Sequence, residues 1–190
     1  MDFSINFFMT CTFFGEITTT IIIMSIIYWA MDKKLGKYLF ISFAGSNLIA
    51  SFAKMFACIN RPWILDSRVQ PVKDALPSAQ GYSFTSGHTT NGTVIFAGTA
   101  LRKKLPKFLS AVLIICLILL SFSRCYLGVH SILDVIFAII FTVIVLLLFN
   151  RIFDKLEENP NLDIIYFMYW NLTDNINSNI YHKQIISYGL

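Results

Sequence analysis

Two groups of side chains in this sequence have the types and spacing that chemistry requires. His130 and Asp134 are four positions apart, so on a helix the carboxylate can reach one imidazole nitrogen from the next turn. That contact would fix the tautomer of the ring and leave its other nitrogen free to attack. Ser86, Gly87 and His88 are consecutive, and at a helix start they would offer a hydroxyl and free backbone N–H groups to an anion.

Three cations complete the pattern. Lys54 and Arg61 are seven positions apart, and Arg124 lies shortly before His130. They would neutralise the oxygens of a phosphate, with bidentate geometry from arginine. One histidine would accept the phosphoryl group and a second histidine would protonate the leaving oxygen. The sequence has no carboxylate cluster of the kind that binds a divalent cation, so we expect phosphoryl transfer without a metal or other cofactor.

The composition excludes a soluble location for this chemistry. Of the 190 residues 56% are hydrophobic and only 14% are charged, and the mean hydropathy is +0.65, whereas about 25% of a soluble domain is charged. A soluble globule, a disordered chain and a nucleic-acid-binding module are therefore excluded. The composition instead indicates an integral membrane protein whose partner is the lipid bilayer.

The uncharged stretches predict an all-α, polytopic membrane bundle of about five transmembrane helices, since a span needs roughly 17–25 apolar residues. The predicted spans are residues 14–31, 38–59, 88–102, 108–123 and 132–150. Residues 3–14 either lie in the interface or extend the first span. We divide the chain into a membrane-embedded domain, 1–151, with a short polar outer loop, and a polar cytoplasmic tail, 152–190. An aromatic run at 164–170 in the tail favours an interfacial helix.

Basic residues set the predicted orientation. Nine of them fall on one side of the five-span bundle, and by the positive-inside rule that side is cytoplasmic. They are Lys33, Lys34, Lys37, Arg102, Lys103, Lys104, Lys107, Arg151 and Lys155. The chemical groups described above fall at the opposite ends of their helices. We therefore expect a multi-pass protein of the inner or plasma membrane whose site faces the periplasm or the exterior and whose C-terminus is cytoplasmic.

The same residues carry a family resemblance. K-x6-R-P at residues 54–62, S-G-H at 86–88 and S-R-x5-H-x3-D at 123–134 resemble the three signature motifs of the type 2 phosphatidic acid phosphatase family. The resemblance extends over about residues 12–150. It departs from the family pattern at Thr85, where members usually have proline, and in lacking the sixth span that many members have.

The resemblance implies a membrane helical bundle that works through a phosphohistidine intermediate without a metal. It implies His130 as the nucleophile, Asp134 as the residue that orients it and His88 as the general acid. The phosphate-binding residues that it implies are Lys54, Arg61, Ser86, Gly87 and Arg124.

The resulting hypothesis is a lipid phosphate phosphatase acting on a lipid monophosphate or diphosphate. Substrates implied by the family are phosphatidic acid, phosphatidylglycerophosphate, undecaprenyl diphosphate, lipid A and phosphorylated sphingoid bases. Two alternatives stay open: transfer of the phosphoryl group to another lipid, and a lipid-binding membrane protein without turnover. The sequence leaves open the oligomeric state and whether Cys58 and Cys125 form a disulfide.

Overall fold

A computed structural model describes residues 3–158, and over this range the chain forms helices and turns without any β-strand. The all-α class that the sequence predicts is thus confirmed. The helices are α1 (Phe3–Phe13), α2 (Ile17–Ile26), α3 (Lys33–Ala57), α4 (Pro62–Leu65), α5 (Gly87–Lys103), α6 (Lys107–Tyr126) and α7 (Ile132–Glu158). The predicted interfacial helix and most of the predicted tail lie outside the described residues.

Length and apolar composition qualify several of these helices as membrane spans. Within the described part of the chain, three segments are long and apolar enough: α3 with α4, α6 and α7. A fourth is the pair formed by α1 and Ile17–Met31, which is bent by 55°. The sequence predicts about five spans. The difference lies in the predicted third span, which corresponds to α5, only 17 residues long and rich in polar side chains.

The polarity of the bundle is the reverse of that in a soluble protein. Its outer surface carries large apolar side chains such as Phe56 and Phe108, which are 85% and 80% exposed. Hydroxyl side chains such as Thr89 and Ser42 are fully buried. Such an apolar surface suits contact with lipid tails and would be unfavourable in water. Small or hydroxylated residues are typical of helix contacts in membranes. The fold and the composition together make this an integral membrane protein.

Close contacts place α5 at the centre of the bundle. A Cβ atom on Gly98 would lie 2.9 Å from the Leu39 side chain and 3.0 Å from that of Leu146, so glycine lets α3 and α7 approach this helix. On another face a Cβ atom on Gly92 would lie 3.0 Å from the side chain of Leu120 of α6. A helix surrounded in this way needs polar residues that pair with its neighbours more than it needs an apolar surface, which accounts for its composition.

Polar contacts show which helix ends lie together. Nζ of Lys103 lies 3.2 Å from the carboxylate of Asp32, and Arg102 donates to the side chain of Asn150 at 3.2 Å. The start of α3, the end of α5 and the distal half of α7 therefore meet at one end of the bundle, as the basic turns predict. The end of α3 and the starts of α5 and α7 consequently meet at the opposite end.

Candidate active site

The segment 83–86 connects three helix ends. The backbone N–H of Ser83 donates to the carbonyl of Ile59 after α3, at 2.8 Å, and that of Ser86 donates to the carbonyl of Asp134 in α7, at 3.3 Å. Ser86 is also the N-cap of α5, where its hydroxyl accepts from the backbone N–H of Thr89 at 3.4 Å. This short loop therefore holds the three predicted groups of residues at one place.

The start of α7 is fixed by reciprocal hydrogen bonds. The backbone N–H of Ser131 donates to Oδ2 of Asp134 at 2.8 Å, and the backbone N–H of Asp134 donates to Oγ of Ser131 at 3.2 Å. This arrangement is a capping box. Just before it, Gly128 has φ 72° and lies against the backbone of Pro71, a conformation that favours glycine. His130 is thus held between a tight turn and a capped helix start.

His130 has a charged partner at each ring nitrogen. Nδ1 lies 3.6 Å from Oδ2 of Asp134, and Nε2 lies 3.0 Å from Nη1 of Arg61. A guanidinium can only donate hydrogen bonds, so Nε2 must accept and the ring proton must be on Nδ1. The proton on Nδ1 then faces the carboxylate, in keeping with the four-residue spacing, and the lone pair is on Nε2.

The surroundings of His130 also keep its ring neutral. Its side chain is nearly buried, and this burial lowers the pKa of His130 to about 4; the charges of Arg61 and Arg124 lower it and Asp134 opposes them. A neutral imidazole at neutral pH keeps the lone pair that a nucleophile needs.

Arg61 connects two loops. Its Nε donates to the carbonyl of Gly81 at 2.9 Å, Nη2 to that of Gln80 at 2.7 Å, and Nη1 to that of Val129 at 3.0 Å. With the contact to His130, these bonds to described residues use four of its five N–H groups. The guanidinium is therefore held in one orientation, with its charge beside Nε2 of the histidine.

These groups border a cavity of about 250 Å³. Five of the eight predicted site residues line it: Lys54, Arg61, Gly87, His88 and His130. The remaining wall comes from Ile17, Asn47, Ala50, Ser51, Ser78, Gln80 and Asn91.

Two features of the cavity wall suit a ligand: space beside Gly87, and a ring nitrogen of His88 that has no hydrogen-bond partner among the described residues. A Cβ atom on Gly87 would meet no other atom within 4 Å, so this glycine leaves space on the cavity side. Nε2 of His88 is buried and has no hydrogen-bond partner among the described residues. Buried polar groups are normally paired, so this nitrogen is the one that a ligand in the cavity could satisfy.

The other three predicted residues lie behind the wall. Asp134 faces His130, and Ser86 is fully buried at the start of α5. Arg124, also fully buried, donates to the hydroxyl of Thr12 at 2.7 Å and to that of Ser78 at 3.3 Å. Ser78 lines the cavity, so the hydroxyl of Ser78 lies between Arg124 and the cavity.

All four cysteines are unpaired, so Cys58 and Cys125 form no disulfide in this structure.

A family model described as the PAP2 superfamily matches residues 35–158, which include every predicted site residue. The chain belongs to the PAP2 superfamily. This confirms the family that the three motifs indicate.

Individual PAP2 relatives support the same assignment. The chain is 37% identical over 82 residues to sphingosine-1-phosphate phosphatase 1 of Mus musculus, which covers 40% of this chain and 19% of that protein. It is 26% identical over 148 residues to lipid phosphate phosphatase delta of Arabidopsis thaliana, covering 71% of this chain and 35% of that protein. The chain thus spans about a fifth and about a third of the length of these relatives.

Two solved structures share the PAP2 fold. Aquifex aeolicus LpxE superposes with a TM-score of 0.69 at 22% identity, covering 80% of this chain and 87% of that one. A transmembrane PAP2-type phosphatidylglycerolphosphate phosphatase from Bacillus subtilis superposes with a TM-score of 0.68 at 20% identity, covering 82% and 79%. At such identities the likeness establishes the fold of this PAP2 protein.

The PAP2 motifs do not include every residue that builds the site. The hydroxyl of Ser83 donates to Asp134, and Asn91 links Asn47 to the backbone of Gly15 through its amide. Nothing local in the sequence marks these residues, because each contact joins distant segments. The capping box is different: Ser131-x-x-Asp134 before an apolar run is a recognisable helix-start signal.

Proposed function

We propose that this PAP2 protein is a membrane-embedded lipid phosphate phosphatase that works through a phosphohistidine intermediate. The observation that carries the proposal is the pairing of His130 Nε2 with Arg61 Nη1 at 3.0 Å, on the wall of a cavity that also contains Lys54 and His88. It combines an unprotonated imidazole nitrogen, two cations and a second histidine in one space. The names of the relatives, which are phosphatases of lipid phosphates, favour the same activity.

The substrate phosphate would enter the cavity with its oxygens towards Lys54 and Arg61. A phosphate oxygen, which is the stronger acceptor because it is charged, would take over the Arg61 N–H that now bonds Nε2. The lone pair of Nε2 would then face phosphorus. Gly87 leaves the space for the phosphate, and the N–H groups at the start of α5 suit an anion.

In the first step Nε2 of His130 attacks phosphorus and the bond from phosphorus to the lipid oxygen breaks. His88 would enter this step as the imidazolium, a form that the negative charge of the bound phosphate stabilises. Its Nε2, which has no other described partner, gives its proton to the departing lipid oxygen. The imidazole becomes positively charged, and Asp134 stabilises that charge at Nδ1. Lys54 and Arg61 offset the negative charge on the phosphoryl oxygens, which takes the place of a metal ion in this mechanism.

In the second step a water molecule takes the place of the lipid alcohol. His88, now neutral, accepts a proton from the water while the water oxygen attacks phosphorus. The bond between phosphorus and Nε2 of His130 breaks. Inorganic phosphate leaves and both histidines regain their starting states. Each histidine thus performs opposite tasks in the two steps.

A lipid substrate fits the position of the site in the bundle. The cavity lies at the end of the helices opposite to the basic turns, at the level where lipid head groups would be, while the bundle surface is covered with apolar side chains. With the basic end in the cytoplasm, the cavity faces the periplasm or the exterior.

The test is phosphate release by the purified protein in detergent, from a panel of lipid phosphates, with and without EDTA. We expect release that EDTA does not abolish, loss of turnover in His130→Ala, and no acid-labile, base-stable phosphoprotein in that variant. The wild type should accumulate such a phosphoprotein after rapid quenching. Activity that is lost with EDTA, or that persists in His130→Ala, would contradict the mechanism. A phosphorylated lipid acceptor in place of inorganic phosphate would identify a transferase.

A further inference from the structure

A buried hydroxyl outside the three motifs contacts the carboxylate that faces the nucleophile. Oγ of Ser83 donates to Oδ2 of Asp134 at 2.6 Å, and the Ser83 side chain is almost completely buried. The backbone of Ser83 is held as well, since its N–H donates to the carbonyl of Ile59. The hydroxyl therefore has a fixed position relative to Asp134, although 51 residues separate the two in sequence.

Oδ2 of Asp134 is the shared acceptor of the site. It accepts from Ser83 at 2.6 Å and from the backbone N–H of Ser131 at 2.8 Å, while Nδ1 of His130 lies 3.6 Å away. N–H···O bonds measure about 2.7–3.2 Å, so the histidine makes the longest of the three contacts. The hydrogen bonds from Ser83 and Ser131 therefore fix the position of the Asp134 carboxylate, and His130 contacts it in that position.

We propose that Ser83 is a positioning residue for the nucleophile: its hydroxyl holds the Asp134 carboxylate where it orients His130 and stabilises the ring charge that forms during attack. This inference rests on the proposed phosphatase function. Ser83 does not line the cavity, so it acts through Asp134 and not on the substrate. Its loss should lower kcat and leave KM nearly unchanged.

The hydroxyl also sets how strongly the carboxylate acts on the ring. A donor at 2.6 Å spreads part of the negative charge of Asp134 away from Nδ1. Without it the carboxylate would have one fewer restraint and a stronger pull on the ring proton. We therefore expect the pKa of His130 to rise in Ser83→Ala, and the acid side of its pH–rate profile to move to higher pH.

Three variants separate this role from general damage. Ser83→Ala removes the hydroxyl and Ser83→Thr retains it. Ser121→Ala is the matched control, because Ser121 is also buried and its hydroxyl has no partner among the described residues. Expected results are a fall in kcat of about 10- to 100-fold for Ser83→Ala, the scale typical when a hydrogen-bond partner that orients a metal-ligating side chain is lost. We expect substantial recovery in Ser83→Thr and wild-type kcat in Ser121→Ala.

A double-mutant cycle tests whether Ser83 acts on His130 through Asp134. If Ser83 acts through Asp134, Ser83→Ala should change kcat less than twofold in an Asp134→Asn background, since interacting residues are non-additive. Multiplicative losses, a KM that rises in step with the fall in kcat, or equal effects of Ser83→Ala and Ser121→Ala would each overturn the proposal.

Nitrogen NMR of the resting protein distinguishes failure of this inference from failure of the proposed function. The chain has three histidines, and spectra of ¹⁵N-histidine-labelled protein in detergent, assigned with His130→Gln, report the tautomer and pKa of His130 without substrate. We expect a single Nδ1–H tautomer in the wild type and an altered Nδ1 resonance in Ser83→Ala only. An unchanged resonance would overturn the Ser83 assignment even in an active phosphatase. A changed resonance in a protein that releases no phosphate would instead refute the function.

Discussion

Ser131 and Asp134 exchange two hydrogen bonds across the first turn of α7, at 2.8 Å and 3.2 Å. The residue whose carboxylate faces His130 is therefore also the residue that caps the start of α7. The fold and the site depend on the same side chain, so the start of α7 cannot fray without displacing the carboxylate. The four-residue spacing between His130 and Asp134 follows from this: one precedes the cap and the other ends its first turn.

Ser131→Ala should affect stability and activity together. It removes the hydroxyl that accepts from the backbone of Asp134 and retains the N–H that holds Oδ2, so we expect a loss of about 0.5–2 kcal/mol in stability. Turnover should fall less than in Ser83→Ala, since the carboxylate keeps both of its donors. Thermal unfolding in detergent and kcat measure the two effects. A lower kcat without any change in unfolding temperature would contradict the capping role.

Arg61→Lys should lose most activity although the charge is retained. Lysine lacks the planar fork that bonds three backbone carbonyls and Nε2 of His130 at once. Loss of one positioned donor typically costs about 10²–10³ in rate, and we expect kcat/KM to fall by at least this factor. Arg102→Lys, at the opposite end of the bundle, is the matched control and should remain within about twofold of wild type. A fully active Arg61→Lys protein would refute the role of the guanidinium.

The lowered pKa of His130 makes stability depend on pH. The unfolded chain binds a proton at this histidine below pH about 6.5, whereas the folded protein does so only below about pH 4. Between these values the unfolded state holds more protons, so stability falls as the pH falls. The full contribution is about 3 kcal/mol, complete above pH 6.5 and lost progressively towards pH 4.

His130→Gln isolates this contribution from the other titrating groups. The unfolding temperature of the wild type should decrease more between pH 7 and pH 5 than that of the variant, measured in the same detergent. Parallel curves for the two proteins would mean that His130 keeps an ordinary pKa in the folded state. The comparison needs no substrate, so the ionisation of a lipid phosphate does not enter.

The five predicted residues that line the cavity could be found in the sequence because their signals are local. Isolated charges such as Lys54 and Arg61 stand out in apolar surroundings, and the spacing from His130 to Asp134 fits one helical turn. The sequence leaves two alternatives for α1, since its phenylalanines suit an interface or a span equally. The structure packs it on α6, where Phe8 stacks on Tyr126 with ring centroids 4.2 Å apart.

The remaining contacts depend on tertiary structure. Ser83 donates a hydrogen bond to Asp134, and Thr12 accepts one from Arg124, 112 positions away. No periodicity or spacing rule predicts such pairs. The expected contact of Arg124 with phosphate illustrates the limit. Its charge makes it a candidate site residue, yet only the fold reveals that its guanidinium meets the cavity wall through the hydroxyl of Ser78. Binding of the phosphate by Arg124 stays a prediction.

The orientation of the bundle gives the last prediction. Cys58 is exposed and ends α3 at the same end as Lys54 and the cavity. If that end faces outward, a membrane-impermeant maleimide should label Cys58 in intact cells. The signal should disappear in Cys58→Ser. In the Cys58→Ser background, Lys104→Cys at the basic end should react only after the cells are permeabilised, because the basic turns would be cytoplasmic. The reverse labelling pattern would place the cavity on the cytoplasmic side and would overturn the proposed outward orientation of the site.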